Sequence, residues 1–318
     1  MIRRFPSGGN VGRFLLLASL VLAISALEIR FIQPSNLRNV LLQISVDGIV
    51  ACGLTLVILC GGLDLSVGAV TALSGVLFVK DLHLGIGFAG LIALLAGAGV
   101  GLLNGVLIGK FKLNPLIVTL GTMTAVQGSA FWLSRGSPIP GPGGDFEMLG
   151  GGFFLYVPLP VVFFGLVILA GDILLGQTQF GRDLYAIGSN RQAARLAEIP
   201  LEARECWAYV LCALLAAFSG MILASRLNTG SPIIGQDTPL QAIAAVVLGG
   251  TSLYGGRGGI LSTLIGIAMI GVLSNGLNLL NVSPAYQWAI KGSVLILVAG
   301  LDSATQRHSA MPAQTIQP

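Results

Sequence analysis

The sequence carries very little charge. Lys and Arg number 17 and Asp and Glu number 13 among 318 residues, so only 9% of the chain is charged, against about a quarter in soluble proteins. A water-soluble domain needs a charged surface, which so few charges cannot provide. The shortage argues against a soluble enzyme, a nucleic-acid-binding protein, a disordered chain and a secreted disulfide scaffold, and it favours a protein of the lipid bilayer.

Histidine and cysteine are also scarce, and motifs for chemistry are missing. The histidines are His83 and His308, and none of the four cysteines forms a Cys-x-x-Cys pair, so neither a zinc site nor a disulfide framework is expected. The sequence has no G-x-x-x-x-G-K-[ST] loop with which to bind ATP. No Ser/His/Asp set lies within the apolar runs. We therefore expect no catalytic residues, no metal and no enzymatic activity.

Apolar residues make up 54% of the chain, and glycine contributes 45 residues, a composition typical of closely packed membrane helices. Five uncharged runs can each cross about 30 Å of hydrocarbon, which takes about 20 helical residues. These runs are 84–109, 113–134, 148–171, 206–225 and 258–290, and shorter apolar stretches are 14–27, 48–63, 65–79, 238–256 and 292–301. We predict an all-α integral membrane protein with about ten transmembrane elements, some of them broken or re-entrant.

The distribution of basic residues predicts the orientation. With ten crossings and a cytoplasmic N-terminus, eleven Lys and Arg residues fall on the inner side and five on the outer side, as the positive-inside rule requires. The chain then has cytoplasmic tails at 1–13 and 303–318 around a membrane domain at 14–302. The first apolar run could instead belong to a signal peptide, but apolar residues continue past Leu27 to Ile32, which favours a retained span.

One internal segment, 177–205, is polar and carries four acidic and four basic residues. Ser189 or Asn190 can cap a short amphipathic helix that follows. The segment is either a solvated connector or a docking element that presents an exposed apolar helix face to a soluble cytoplasmic partner. That face consists of Ala194, Leu196 and Ile199.

A family resemblance begins in this segment, where residues 178–196 read TQFGRDLYAIGSNRQAARL. They resemble the coupling loop of ribose-type sugar permeases, the membrane subunits of ATP-binding cassette importers. Four further stretches resemble the same family, and all five follow its order between about residues 48 and 300. They are GGLDLSVG at 61–68, NPLIVTLGT at 114–122, VLGGTSLYGG at 247–256 and NGLNLLNV at 275–282. Branched-chain amino-acid permeases share the wider superfamily, but GGLDLSVG is closer to the sugar branch.

The resemblance implies a multi-pass permease subunit that moves a monosaccharide (pentose, hexose or polyol) across the bacterial inner membrane. It implies three protein partners: a second permease copy, cytoplasmic ATPase subunits that hold ATP and Mg²⁺, and a periplasmic or extracellular sugar-binding protein. It implies neither a cofactor in this chain nor a nucleic-acid partner. The residues that match the ATPase-coupling loop are Gly181, Arg182, Gly188, Asn190, Arg191, Ala193, Ala194 and Arg195.

An uncharged sugar needs a pathway lined by neutral hydrogen-bonding groups rather than by ion pairs. Each candidate for that pathway could instead make interhelical hydrogen bonds. Asp64 is either a functional intramembrane carboxylate or, with Ser66, the cap of the next helix. Lys291 needs a backbone carbonyl or Asp302 as its partner, unless it snorkels to the helix end. The pathway candidates are Asp64, Ser66, Asn104, Thr119, Gln127, Gln241, Asn275, Asn278 and Gln287.

Other interpretations remain open at this stage. Gly249 and Gly250 resemble Gly61 and Gly62, which suggests two weakly similar halves, although chance matching of glycine-rich sequence gives the same pattern. An ion-coupled secondary transporter is an alternative function, but such proteins carry intramembrane carboxylates or histidines, and this chain has few. A permease for another small solute, such as a branched-chain amino acid, is the other alternative.

Overall fold

The computed structural model of the chain describes residues 7–309, so that Arg3, Arg4 and the outer ends of both predicted tails lie outside the described residues. This part of the chain forms thirteen α-helices and two short β-ribbons. The helices are α1 (Ser7–Leu27), α2 (Pro34–Leu59), α3 (Val67–Lys80), α4 (Ile86–Gly109), α5 (Pro115–Leu133), α6 (Met148–Gly151), α7 (Leu159–Gln177), α8 (Gln179–Ser189), α9 (Arg191–Leu196), α10 (Leu201–Arg226), α11 (Thr238–Leu248), α12 (Ile260–Leu279) and α13 (Pro284–Ser309).

Six helices among the described residues are long and apolar enough to cross a membrane, namely α2, α4, α5, α7, α10 and α12. These helices confirm the prediction of an all-α membrane protein, while the number of ten transmembrane elements stays a prediction. Helix α5 shows why the chain folds this way locally. Pro115 occupies its first turn and the Asn114 side chain accepts hydrogen bonds from the backbone N–H groups of Leu116 and Ile117, which satisfies donors that a helix start leaves free.

Two of the predicted boundaries were wrong. The run 258–290 is not one span, because α12 ends at Leu279 and Pro284 begins α13, which continues through the stretch 292–301. Proline is favoured in the first turn of a helix and cannot continue an earlier one. The run 148–171 also starts too early, since α7 begins only at Leu159.

The residues before α7 belong to a loop stiffened by the two ribbons. Strand β1 (Ile139–Pro140) pairs antiparallel with β4 (Thr229–Gly230), and β2 (Phe153–Phe154) pairs antiparallel with β3 (Val157–Pro158). Each strand has two residues. The β1–β4 ribbon ties the loop to the segment after α10, whereas the β2–β3 ribbon closes a turn within the loop. The spacing of charges along the sequence gives no indication of these ribbons.

Two apolar helices are too short to cross the hydrocarbon layer. Helix α3 has 14 residues and α11 has 11, which at 1.5 Å per residue gives lengths of about 21 and about 17 Å. Both adjoin non-helical segments, at 60–66 before α3 and at 249–259 after α11. We call these two non-helical segments the helix breaks. Irregular backbone within a membrane protein is tolerated where other parts of the protein cover it, so the residues packed around the breaks are described below.

The core of the fold forms around α2, the most buried of the six long helices. It packs against α10 on one side and against α7, α11 and α12 on the others, while α10 also packs along α3 and α4. The close approach of α4 and α10 depends on Gly105, because a Cβ added there would lie 2.7 Å from the Cα of Cys206. Small residues allow this kind of backbone contact between membrane helices.

Candidate functional site

The predicted coupling segment, 177–205, folds into two short helices that are capped at both starts. The Thr178 hydroxyl accepts a hydrogen bond from the Gly181 N–H at 3.3 Å and begins α8. The Asn190 side chain accepts hydrogen bonds from the Gln192 and Ala193 N–H groups, each at 3.0 Å, and begins α9. Asn190 is therefore the cap, whereas Ser189 is the last residue of α8.

Ion pairs hold these helices against the start of α10. The Arg204 Nε lies 2.7 Å from the Asp183 carboxylate, and Arg191 Nη2 donates to Glu205 Oε2 at 2.8 Å. The side chain of Glu205 is only 3% exposed, and Lys112 Nζ lies 4.0 Å from its Oε2. A buried carboxylate needs such partners, because an uncompensated buried charge is strongly destabilising. The coupling segment therefore has a fixed position on the rest of the protein.

The tip of the coupling segment is exposed and partly apolar. A depression of about 370 Å³ is lined by Arg191, Gln192, Arg195 and Leu196, and Leu196 is 87% exposed. Arg182 and Ala193 are exposed as well. The expectation that Ala194 belongs to this exposed face was wrong: it is 3% exposed and packs in the hydrophobic core, because α9 turns this residue toward the protein.

The end of α8 contacts the two helix breaks directly, at Gly188. A Cβ at this position would overlap the carbonyl oxygen of Leu59 at the end of α2, and the backbone of Gly255 and Gly256 in the segment after α11. The Gly256 N–H donates to the same Leu59 oxygen at 2.9 Å. We call this contact of residues 59, 188, 255 and 256 the glycine joint. It connects the coupling segment to both breaks through backbone atoms.

A hydrogen bond beside the glycine joint strengthens the connection. The Tyr185 hydroxyl donates to the Gly258 carbonyl oxygen at 2.8 Å. Burial, with a smaller effect of the Asp172 charge, raises the pKa of the Tyr185 phenol to about 12. The hydroxyl therefore keeps its proton and remains a hydrogen-bond donor at neutral pH.

Three of the predicted pathway residues form one buried cluster at the first break. The Ser66 hydroxyl donates to Asp64 Oδ1 at 2.6 Å and accepts from Asn104 Nδ2 at 3.0 Å. The Ser66 N–H also donates to Asp64 Oδ1, at 2.9 Å. All three side chains are 0% exposed. Asp64 therefore holds the chain before α3 through Ser66, and Ser66 joins it to Asn104 of α4.

The other predicted pathway residues lie elsewhere. Asn275 exchanges two hydrogen bonds of 2.9 Å with Asn36 and so connects α12 to α2. Gln287 donates to Asn278 at 2.8 Å across the turn between α12 and α13. The Thr119 hydroxyl donates to a carbonyl of its own helix. Gln127 donates to the Pro232 carbonyl oxygen. These residues thus take part in separate contacts, and their place on a sugar pathway stays a prediction.

One of the predicted pathway residues, Gln241, lines a cavity of about 340 Å³ at the far end of α10 from the coupling segment. The sequence argument had missed the other polar residues of this cavity. The charges of Lys291 and Arg226 act on Asp47; the Asp302 side chain, the predicted partner of Lys291, lies outside the described residues. The missed polar residues are Gln43, Asp47, Arg226, Gln236, Asp237, Thr238 and Trp288. In the described part of the chain, no His, Cys, Asp and Glu group could hold a metal ion.

Comparisons with known proteins agree with the motifs. The ribose import permease protein of Bacillus subtilis (strain 168) is 45% identical over 297 residues, which cover 92% of each chain. The ribose import permease protein of Escherichia coli (strain K12) is 41% identical, covering 90% of this chain and 91% of the relative. The L-arabinose transport system permease protein of the same strain is 37% identical, covering 93% and 91%. No solved structure matches this chain.

The family model described as the branched-chain amino acid transport system permease component matches residues 36–299. The resemblance to ribose-type permeases, inferred from five motifs, is confirmed by these relatives. They are permeases rather than enzymes. Since the family model covers most of the chain and the relatives match nearly all of it, this multi-pass protein of the bacterial cell membrane belongs to the branched-chain amino acid transport system permease family.

Proposed function

We propose that this chain is the membrane-spanning subunit of an ATP-binding cassette importer that moves a monosaccharide into the cell. Pentoses such as ribose and arabinose are the first candidates. The proposal rests chiefly on 45% identity to a ribose import permease over nearly the whole of both chains. The exposed tip of the coupling segment, which suits docking to a separate ATPase, supports it.

The proposed assembly contains two copies of this chain, two cytoplasmic ATPase subunits and an external sugar-binding protein. Each copy has one coupling segment, whereas an ATPase pair related by a two-fold axis offers two equivalent grooves, so a second permease copy is needed to fill both. The six long helices with α1, α3, α11 and α13 supply the ten membrane elements, with both termini cytoplasmic. ATP and Mg²⁺ bind to the ATPase subunits.

Uptake measurements in proteoliposomes test the function. The complete complex is reconstituted with ATP inside and the sugar-binding protein outside, and uptake of ribose and arabinose is followed. We expect uptake to require ATP and to persist after ionophores collapse every ion gradient. Uptake that follows an ion gradient without ATP would identify a secondary transporter. Uptake of leucine but of neither sugar would place the chain with the amino-acid permeases.

The coupling assignment is tested by Leu196→Glu. If Leu196 enters a groove of the ATPase, the change removes about 1.5–3 kcal/mol of apolar burial and places a charge in the interface. The ATPase should then no longer co-purify, and transport should stop at normal membrane abundance of the permease. Ala194→Glu would be a poor test, because Ala194 is buried within the permease itself.

Leu155→Glu is the matched control. Leu155 is a similarly exposed leucine between β2 and β3, remote from the coupling segment, and its replacement should leave the ATPase bound. If Leu196→Glu retains the ATPase and transports at the normal rate, the coupling segment is a solvated connector and the assignment is wrong.

A further inference from the structure

We propose that the cavity between α2, α10, α11 and α13 is a binding site for the transported monosaccharide, an assignment that rests on the proposed function. Its volume of about 340 Å³ falls at the lower end of the range of about 300–1,000 Å³ for small-molecule sites. It therefore suits one small ligand rather than a peptide.

The position of the cavity fits a ligand that arrives from outside the cell. Arg226 is the last residue of α10, and the coupling segment adjoins the first. The 26 residues of α10 span about 39 Å at 1.5 Å per residue. The cavity thus opens near the membrane face opposite to the coupling tip, where an external binding protein would release its sugar.

The charges of the cavity favour an uncharged ligand. Two carboxylates, Asp47 and Asp237, line it together with one guanidinium, Arg226. The ammonium group of Lys291 also interacts with Asp47. The lining itself thus carries two negative groups and one positive group, so it does not attract an anion. An anionic phosphosugar does not fit this lining, and no group of His, Cys, Asp and Glu in the described part of the chain could hold a metal ion.

The remaining groups suit a sugar in particular. Trp288 is 63% exposed, and its Nε1 donates to Asp237 Oδ2 at 3.2 Å, which fixes the orientation of the indole. A flat indole face can pack against the C–H groups of a sugar ring, since aromatic rings combine a large apolar area with a fixed geometry. The amides of Gln43 and Gln241 donate and accept hydrogen bonds, as sugar hydroxyls require.

Uptake by variants of the complete complex tests this assignment, with ribose and arabinose as probes. Trp288→Leu and Gln241→Leu should each reduce uptake by about tenfold or more, because the site loses a stacking surface or leaves sugar hydroxyls unpaired. Trp288→Phe, which keeps an aromatic face, should retain most of the activity. Trp132→Leu is the matched control, since Trp132 is exposed on α5 and does not line the cavity. Binding-protein-stimulated ATP hydrolysis should persist in all four variants and so report folding and assembly.

Protection of a cysteine provides the second measurement. Gln43→Cys is labelled from outside with a membrane-impermeant maleimide, and saturating ribose or arabinose should slow the labelling. Equal labelling with and without sugar, or protection by leucine alone, overturns the assignment. The assignment is also overturned if the wild-type complex takes up sugar and the Trp288→Leu and Gln241→Leu variants take it up equally well. In that case the proposed function still stands. If the wild-type complex moves neither sugar, both proposals fall.

Discussion

The glycine joint makes a sharp prediction for Gly188→Ala. The added methyl group would lie 3.1 Å from the carbonyl carbon of Gly255 and closer still to Leu59 and Gly256. All of these are backbone atoms, which cannot move aside as a flexible side chain can. The substitution must therefore push the end of α8 away from the two helix breaks.

The magnitude follows from two opposing effects. Overpacking of a closely packed site costs about 1–3 kcal/mol. Replacing a helical glycine by alanine gains about 0.5–1 kcal/mol. Gly176→Ala isolates the first effect, because Gly176 is the next-to-last residue of α7 just as Gly188 is of α8, yet nothing lies within 4 Å of its added Cβ. The two variants should differ by about 1–3 kcal/mol in the free energy of unfolding.

The assay compares thermal unfolding and transport for the two variants in the intact complex. At about 2–4 °C per kcal/mol, Gly188→Ala should have a Tm several degrees below that of Gly176→Ala. The ATPase should still co-purify, because the exposed tip is unchanged, but less sugar should be moved for each ATP hydrolysed. Equal Tm values and equal sugar-to-ATP ratios would show that the glycine joint neither stabilises the protein nor transmits motion.

Two hydrogen bonds give further predictions. Ser66→Ala removes a buried donor from Asp64 and should lower the free energy of unfolding by about 1–3 kcal/mol, which is measured as a lower Tm. The control is Ser45→Ala, which should change the Tm little because the Ser45 hydroxyl bonds only to its own helix. Equal effects of the two substitutions on the Tm would refute the reasoning. Tyr185→Phe removes the hydrogen bond to Gly258, so it should lower the free energy of unfolding by about 1 kcal/mol and reduce the amount of sugar moved per ATP. An unchanged ratio of sugar to ATP would show that coupling does not depend on this bond.

The helices and the coupling segment could be predicted because their signals are local. Charge-free runs mark α4, α5 and α10 within a few residues, and a cap followed by a short amphipathic pattern marks α9. The burial of Ala194 could not be predicted in this way. Which side of a one-and-a-half-turn helix faces the protein depends on the ion pairs of Arg191 and Arg204, whose acidic partners were not assigned from sequence.

The cavity could not be predicted, because its residues come from helices that are far apart in sequence. Charge spacing treats a charged residue as a membrane boundary, so Asp47 only marked the start of the stretch 48–63 and was not considered as a cavity residue. Inside the fold, the charges of Arg226 and Lys291 act on this carboxylate, and nearby opposite charges lower the cost of a carboxylate within a membrane helix. Only the tertiary arrangement brings these three groups together.

The reciprocal amide pair of Asn36 and Asn275 has a mechanical consequence. Each amide satisfies the other through two bonds, so a slide of α12 along α2 by one helical turn would break both at once. Toward the opposite end of α2, the hydroxyl groups of Thr55 and Thr263 lie 2.7 Å apart and form a second, buried hydrogen bond between the same two helices. The two helices are therefore joined by polar side chains at two levels, and a slide of α12 along α2 is opposed at both.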